Sequence, residues 1–253
     1  MRIDLNADVG ESFGTWQMGH DEALIPLVSS VNVACGFHAG DPLVIERTVK
    51  MAADAGVALG AHPGYPDIAG FGRRDLDMTP AELEAAVLYQ VAAVTGFAHA
   101  AGVELRHVKP HGALYNRAAR DMGVAEAIAG AVRRFDPGLV LVGLAGSVLL
   151  EAGRAAGLAV AAEAFADRAY EADGSLRSRR LPNAVHADPE IAAAQALSIA
   201  RDGKVRARDG TWVAVSADTL CLHGDTPGAP VLARVVRAAL EDARIEIASL
   251  ARR

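Results

Sequence analysis

Cysteine is scarce in this sequence, and long hydrophobic runs are missing. The 253 residues include two cysteines, Cys35 and Cys221, which form no Cys-x-x-Cys pair. This spacing supports neither a disulfide framework nor a zinc site built from paired thiolates. The longest apolar run, at residues 139–150, contains two glycines and is well short of the ~20 residues that a membrane-spanning helix needs.

Basic charge is also low and dispersed. Lysine and arginine together number 25, against 31 acidic residues, and the formal net charge is −6. The basic side chains gather only at residues 177–180, so the chain lacks the electrostatic footprint of a nucleic-acid-binding protein. An acidic residue at position 4 comes too early for a secretory signal peptide. The sequence therefore predicts a cytoplasmic, reduced protein.

Seven short apolar segments, each bounded by turn or polar residues, predict β-strands. They lie at residues 3–6, 31–35, 57–61, 105–109, 139–143, 158–163 and 219–223. Between them, a capping residue stands before a proline at Asp41-Pro42, Thr79-Pro80, Asp188-Pro189 and Thr226-Pro227, as at a helix start.

This strand–helix alternation predicts an α/β fold, most simply a single-domain TIM-like (β/α)7 barrel over residues 1–253. An open doubly wound sheet is the alternative, but it often carries Gly-x-Gly-x-x-Gly in its first turn, and the sequence has no such motif. Two connections are unusually long. Residues 63–78 form a Gly/Pro-rich loop long enough to suggest function. Residues 164–217 form an excursion before the last strand, with a helix after Pro189 and a hairpin that turns near Gly210.

Four of the eight histidines stand at a predicted carboxyl strand end, and each is followed within two residues by glycine: His38, His62, His111 and His223. In a parallel barrel these strand ends converge on one face, where active sites are built. We therefore predict one catalytic site that combines these histidines with Asp8, Lys109 and Asp225. The other four histidines lack this context and are predicted to be structural or surface residues: His20, His99, His107 and His186.

Lys109 and His111 are separated by one proline, so an extended chain could aim both side chains in the same direction. A cation beside an acid/base group suits stabilisation of developing negative charge with proton transfer next to it. Ser147 opens a later helix, where it is either a simple cap or part of an anion site at the helix N-terminus.

Several motifs resemble one known family. They are Ile-Asp-Leu-Asn-Ala-Asp-Val-Gly-Glu at 3–11, Asn-Val-Ala-Cys-Gly-Phe-His-Ala-Gly-Asp-Pro at 32–42, Gly-Ala-His-Pro-Gly-Tyr-Pro-Asp at 60–67, Gly-Phe-Gly-Arg-Arg at 70–74, His-Val-Lys-Pro-His-Gly-Ala-Leu-Tyr-Asn at 107–116, Gly-Leu-Ala-Gly-Ser at 143–147, Glu-Ala-Phe-Ala-Asp-Arg-Ala-Tyr at 163–170 and His-Gly-Asp-Thr-Pro at 223–227. With these motifs the chain resembles the LamB/YcsF family over nearly its whole length.

The resemblance implies a barrel of the glycoside hydrolase/deacetylase type. It also implies opening of the lactam of 5-oxo-L-proline to L-glutamate, coupled to hydrolysis of ATP, with Mg²⁺, to ADP and phosphate. Partner subunits B and C of a 5-oxoprolinase are implied as well.

On this hypothesis ATP phosphorylates the lactam carbonyl oxygen, and water then attacks the activated carbon. Lys109 is assigned to charge stabilisation, and Asp8 with His111 to proton transfer. His62, His223 and Asp225 orient these groups or share their work, while Arg168 clamps the substrate carboxylate. Three further residues are placed in the substrate shell: Asn6, His38 and Glu163. With no P-loop in the sequence, the ATP site is left among the Arg73-Arg74 loop, the helix start at Ser147 and a partner subunit.

Three alternatives stay open on the sequence. A metal-dependent C–N hydrolase or deacetylase could use Asp8, His38 and His62 as ligands. A serine hydrolase is suggested by the Gly-x-Ser-x-Gly match around Ser12, which we interpret as chance because no helix is predicted directly after it. A subunit that binds substrate without chemistry of its own would need the same density of polar groups.

Overall fold

The computed structural model describes residues 1–224 and 228–251. Its strands are β1 (Arg2–Val9), β2 (Ser30–Ala34), β3 (Ala58–His62), β4 (Leu105–Val108), β5 (Val140–Leu144), β6 (Ala159–Phe165), β7 (Lys204–Arg206), β8 (Trp212–Ala214), β9 (Thr219–His223) and β10 (Glu246–Ile247). Strands β1 to β6 and β9 form a parallel sheet in which β1 pairs with both β2 and β9. These two pairings close the sheet. The predicted TIM-like (β/α)7 barrel is therefore confirmed, and the open sheet is wrong.

The helices are α1 (Asp21–Leu24), α2 (Pro42–Asp54), α3 (Pro80–Ala100), α4 (Gly112–Ala118), α5 (Met122–Phe135), α6 (Val148–Ala155), α7 (Pro189–Asp202) and α8 (Ala229–Asp242). Capping explains where three of them begin, as predicted. The side chains of Asp41, Thr79 and Asp188 each accept a backbone N–H from the first turn. Residues 226–227 lie outside the described residues. None of the described helices is long and apolar enough to cross a bilayer.

Strand β1 shows why the barrel interior is polar. Its odd-numbered residues Ile3, Leu5, Ala7 and Val9 belong to the main hydrophobic core. Its even-numbered residues Asp4, Asn6 and Asp8 are also buried, and they hydrogen-bond to side chains of other barrel strands. Because side chains alternate along a strand, apolar groups pack under the helices while hydrogen-bonded polar groups fill the axis.

The two long connections lie over the carboxyl ends of the strands. Strand β6 runs on to Phe165, so the first two residues of the predicted excursion are barrel strand. The predicted helix and hairpin are present as α7 and the antiparallel pair β7–β8. In the 63–78 loop, Gly72 has a φ of 62°, and a Cβ atom there would lie 2.8 Å from His111 Cδ2 and from His38 Cβ. Glycine at this position lets the loop backbone close over both rings.

Candidate active site

A cavity of about 680 Å³ opens at the carboxyl ends of the barrel strands. Most of the predicted site residues line it: Asp8, His62, Lys109, His111, Arg168 and His223. Its wall also carries further arginines: Arg73, Arg120, Arg177, Arg179 and Arg180. The structure therefore brings together side chains from β1, β3, β4 and β9, while Asp225 lies outside the described residues.

Lys109 is the centre of the first group of charges. Its Nζ lies 2.8 Å from Asp8 Oδ1, 2.8 Å from Glu163 Oε1 and 3.2 Å from Asn6 Oδ1. Burial disfavours the ammonium, yet Asp8 and Glu163 outweigh it and raise the pKa of Lys109 well above its usual range. Lys109 therefore stays charged at neutral pH, as an electrostatic group and not as a base.

Asp8 links this lysine to the histidines. Its Oδ1 accepts from Lys109 and, at 2.8 Å, from Asn32 Nδ2, whereas its Oδ2 lies 3.3 Å from His62 Nε2. Burial favours the neutral acid, but His62 and Lys109 act against it and hold the pKa of Asp8 well below its usual range. The carboxylate is ionised and a weak base. The Asp8 carboxylate contacts His62, and His62 contacts His111. The two residues predicted for proton transfer, Asp8 and His111, are therefore linked through His62.

His38, His62 and His111 form a second, tightly packed group with Glu11. The rings of His62 and His111 are nearly perpendicular, with His111 Nδ1 3.0 Å from His62 Nε2. His38 stacks on His111 with centroids 3.7 Å apart. Glu11 Oε1 lies 3.4 Å from His111 Nδ1 and 3.7 Å from His38 Nε2. Burial, together with the neighbouring rings, depresses the pKa of His38 and of His111 well below the usual range, so both are neutral at pH 7.

His223 is held from behind by Asp167. Its Nδ1 lies 3.0 Å from both Asp167 oxygens, and its ring stacks on Phe165 with centroids 5.4 Å apart. Burial raises the pKa of Asp167, but His223 more than offsets this and lowers it. A carboxylate at Nδ1 fixes the ring orientation and directs Nε2 away from the carboxylate, the arrangement that the Asp and His of a catalytic triad also have.

Asn6, Glu163 and Arg168, which were predicted to contact the substrate, lie at different depths below the opening of the cavity. Asn6 and Glu163 lie below the lysine, where Asn6 Nδ2 donates to Glu163 Oε1 and to Thr219 Oγ1. Arg168 is nearer the opening, and its Nε and Nη2 donate to the carbonyl oxygens of Ala184 and Arg177. Arg168 makes no ion pair within 4.0 Å with a carboxylate of the described residues, and burial lowers its pKa to about 10.

The sequence-based prediction missed several polar residues of the site: Glu11, Asn32, Asp167 and Cys221. Asn32 pairs in register with Asp8, and Cys221 with Asn6. Counting every second residue along each strand would have placed both on the barrel interior, beside Lys109. Glu11 and Asp167 lie beyond their strands, so no periodicity marks them. His107, predicted to be structural, lies inside the barrel with Nε2 2.7 Å from Asn32 Oδ1.

Ser12 does not have the setting of a nucleophile. Its hydroxyl is hydrogen-bonded to the backbone of Met18 in both directions. The residues after it form a bridge between Phe13 and Trp16 and no helix, whereas a nucleophile elbow requires a strand–turn–helix. The interpretation of the Gly-x-Ser-x-Gly match as chance agrees with this geometry.

A closed parallel barrel with a buried lysine, carboxylates and oriented histidines around one cavity at its carboxyl end has the layout of a barrel enzyme. The model of the LamB/YcsF family matches residues 3–253, and the chain belongs to this family. It is 60% identical, over 98% of each chain, to a protein of Chloroflexus aggregans that is named as the A subunit of 5-oxoprolinase. A relative of the same name from Methylococcus capsulatus is 58% identical over 98% of this chain and 95% of its own. A lactam utilization protein from Thermus thermophilus, known from its crystal structure, is 54% identical, with a TM-score of 0.93 over 99% of this chain and 100% of the other.

Proposed function

We propose that this chain is the A subunit of an ATP-dependent 5-oxoprolinase. The enzyme opens the lactam of 5-oxo-L-proline to L-glutamate, coupled to hydrolysis of ATP, with Mg²⁺, to ADP and phosphate. It works with partner subunits B and C. The names of the relatives support this assignment, and one observation in the molecule carries it. A lysine whose pKa is raised by neighbouring carboxylates stands at the base of a cavity with an arginine-rich wall, which suits a small anionic substrate that develops negative charge.

Lys109 supplies the positive charge for the reacting oxygen. An ammonium group has three protons, and four acceptors lie within hydrogen-bonding distance of Nζ, the fourth being Cys221 Sγ at 3.0 Å. A thiol sulfur is the weakest of these acceptors. A carbonyl or phosphoryl oxygen can therefore replace it without breaking the contacts to Asp8 and Glu163. Fixed charge of this kind needs no rearrangement as the transition state forms.

Proton transfer falls to the histidine on the other side of the cavity. His223 is partly exposed, lines the cavity and is oriented by Asp167. It takes a proton from the attacking water or gives one to the ring nitrogen as the C–N bond breaks. This assigns to His223 a larger part of the proton transfer than the sequence alone suggested.

Two cationic features hold the anionic parts of the substrates. The guanidinium of Arg168 is held by two backbone carbonyls, so its planar fork is already positioned to receive the carboxylate of 5-oxoproline. The start of α6 lies across the same cavity, where the Ser147 hydroxyl is buried without a hydrogen-bond partner among the described residues. Backbone N–H groups at a helix start favour phosphate, so this end is our candidate for ATP.

The test is glutamate release by the chain reconstituted with its two partner subunits. Lys109→Met should reduce turnover by about 10²–10³, the usual cost of one lost stabilising donor at an active site. Lys50→Met is the matched control because Lys50 is exposed and pairs with Asp54 on α2, so its turnover should be unchanged.

Near-normal turnover of Lys109→Met would rule out the assigned role. Calorimetric titration of the lone chain with 5-oxoproline then tests the remaining possibility, that this subunit binds the substrate without chemistry of its own. A subunit that only binds substrate would take up 5-oxoproline equally well with methionine at position 109, while another subunit carried the chemistry.

A further inference from the structure

The group formed by Glu11, His38, His62 and His111 brings together side chains that the reaction assigned to Lys109 does not use. All four residues are buried. One ligand atom from each lies within 4.8 Å of those of the others. They come from the carboxyl ends of four successive barrel strands, β1 to β4.

Backbone carbonyls fix which ring nitrogens carry protons. His62 Nδ1 lies 2.7 Å from the carbonyl oxygen of Lys109, and His111 Nε2 lies 2.8 Å from that of Phe71. A carbonyl oxygen only accepts, so each of these nitrogens carries the N–H. The opposite nitrogens, His62 Nε2 and His111 Nδ1, are then the ones that remain for another partner.

These two nitrogens face one another at 3.0 Å. A carboxylate oxygen of Glu11 stands 3.4 Å from His111 Nδ1, and one of Asp8 stands 3.3 Å from His62 Nε2. His38 adds two buried ring nitrogens without a hydrogen-bond partner among the described residues. A metal ion could take one atom from each of Glu11, His38, His62 and His111 as a ligand.

We infer that Glu11, His38, His62 and His111 bind a divalent transition-metal ion of the zinc class. Three imidazoles and one carboxylate are ligands that such an ion prefers. Bonds of about 2.1 Å in a tetrahedron place ligand atoms about 3.4 Å apart. Three of the six separations among these atoms are 3.0, 3.4 and 3.7 Å, and all six are within 4.8 Å. The second N–H of a metal-bound histidine almost always goes to a carbonyl or carboxylate, as it does here for His62 and His111.

The proposed ion site borders the cavity, and one of its ligands, His38, has to change its ring orientation to bind. Glu11, His62 and His111 line the cavity, so a bound ion borders the substrate space. A metal ion binds in the plane of an imidazole, and the His38 ring now lies parallel to His111, so His38 tilts to complete the set. The neighbouring group of Asp8, Cys221 and His223 is a poorer choice because the Lys109 ammonium already lies against Asp8 and Cys221.

Metal binding by the lone, full-length chain tests the inference without ATP, 5-oxoproline or partner subunits. The chain is stripped with EDTA, dialysed into chelator-free buffer and titrated separately with Zn²⁺ and Co²⁺. Bound metal is counted by mass spectrometry, and the Co²⁺ complex is examined by absorption. We expect one ion per chain and a cobalt spectrum without a cobalt–thiolate band.

Variants locate the ion. Glu11→Gln, His38→Gln and His111→Gln should each weaken metal affinity by more than about 100-fold, since loss of an outer-shell partner alone costs 10–100-fold. His107→Gln is the matched control, a buried histidine whose ring contacts Asn32 outside the group, and it should keep its ion. Circular dichroism checks that each variant is folded.

Three results would overturn the inference. They are a folded wild-type chain that takes up no stoichiometric metal, ligand variants that bind as tightly as the wild type, and a cobalt–thiolate band, which would move the ion to Cys221. Because no substrate is present, none of these results bears on the 5-oxoprolinase assignment.

Discussion

Two halves of one pocket differ in how their charges are balanced. Around Lys109, a cation meets the carboxylates of Asp8 and Glu163 at 2.8 Å each, and the group is electrostatically complete. Around His62 and His111, two ring nitrogens face one another at 3.0 Å, and the His38 ring beside them has no hydrogen-bond partner among the described residues. The first half can stabilise charge on a substrate without a further ion, while the second half has the ligand atoms to bind a metal ion.

The largest effect should come from breaking the complete half. Lys109→Met leaves two buried carboxylates unpaired, and removal of one partner of a buried ion pair costs roughly 3–5 kcal/mol. Denaturant unfolding at pH 7.5 with EDTA present should show this loss. The double variant Lys109→Met/Glu163→Gln should recover part of it, because one carboxylate is then neutral. A double variant no more stable than Lys109→Met would mean that Glu163 is not the partner that matters.

A smaller effect should follow from titrating a histidine that lies outside both halves. Burial, followed by the charge of Lys109, lowers the pKa of His107 to about 3, against about 6.5 in an unfolded chain. Between these values the unfolded state binds the proton and the folded state does not, so this contribution to stability falls as the pH falls below about 6.5.

The expected slope for His107 is roughly 1.4 kcal/mol per pH unit. Unfolding free energies at pH 7.5, 6 and 5, again with EDTA, should decline less steeply in His107→Gln than in the wild type. Parallel curves for the two proteins would show that His107 is protonated in the folded chain. Asp8 contributes nothing in this window, because its folded pKa is lowered and its unfolded pKa is about 3.9.

The smallest effect, and one of opposite sign, belongs to the incomplete half. His38 is buried with neither ring nitrogen hydrogen-bonded among the described residues. Leucine has a similar volume and no polar atoms to desolvate, so His38→Leu should stabilise the metal-free chain by about 1 kcal/mol. The same variant should lose the gain in melting temperature that Zn²⁺ gives the wild type. A loss of stability without metal would show that His38 has a structural partner.

The barrel was predictable from the sequence because its signals are local. Short apolar strands and the caps at Asp41, Thr79 and Asp188 each depend on a few neighbouring residues. Closure of a parallel barrel then determines which strand ends meet. This explains why His62, Lys109, His111 and His223 could be placed together without coordinates.

The pairing inside the site was not predictable in the same way. The contacts of Lys109 with Asp8 and Cys221, and the ring nitrogen of His111 that carries a proton, depend on strand register and on loop carbonyls such as that of Phe71. Glu11 and Asp167 stand in irregular backbone, where no period assigns a face. The sequence thus predicted the members of the site better than their roles. It also offered Asp8, His38 and His62 as a metal set, whereas the geometry groups His38 and His62 with Glu11 and His111.

The protonation states of two nitrogens test the contrast between the halves most directly. Nitrogen-15 chemical shifts of the metal-free chain at pH 7.5 distinguish a bare imidazole nitrogen from one that carries a proton. We expect His111 Nδ1 to be bare, and the resonances of His62 Nε2 and His111 Nδ1 both to move when one equivalent of Zn²⁺ is added. A proton on His111 Nδ1, or two resonances that stay in place when Zn²⁺ is added, would contradict the assignment of this half of the pocket as a cation site.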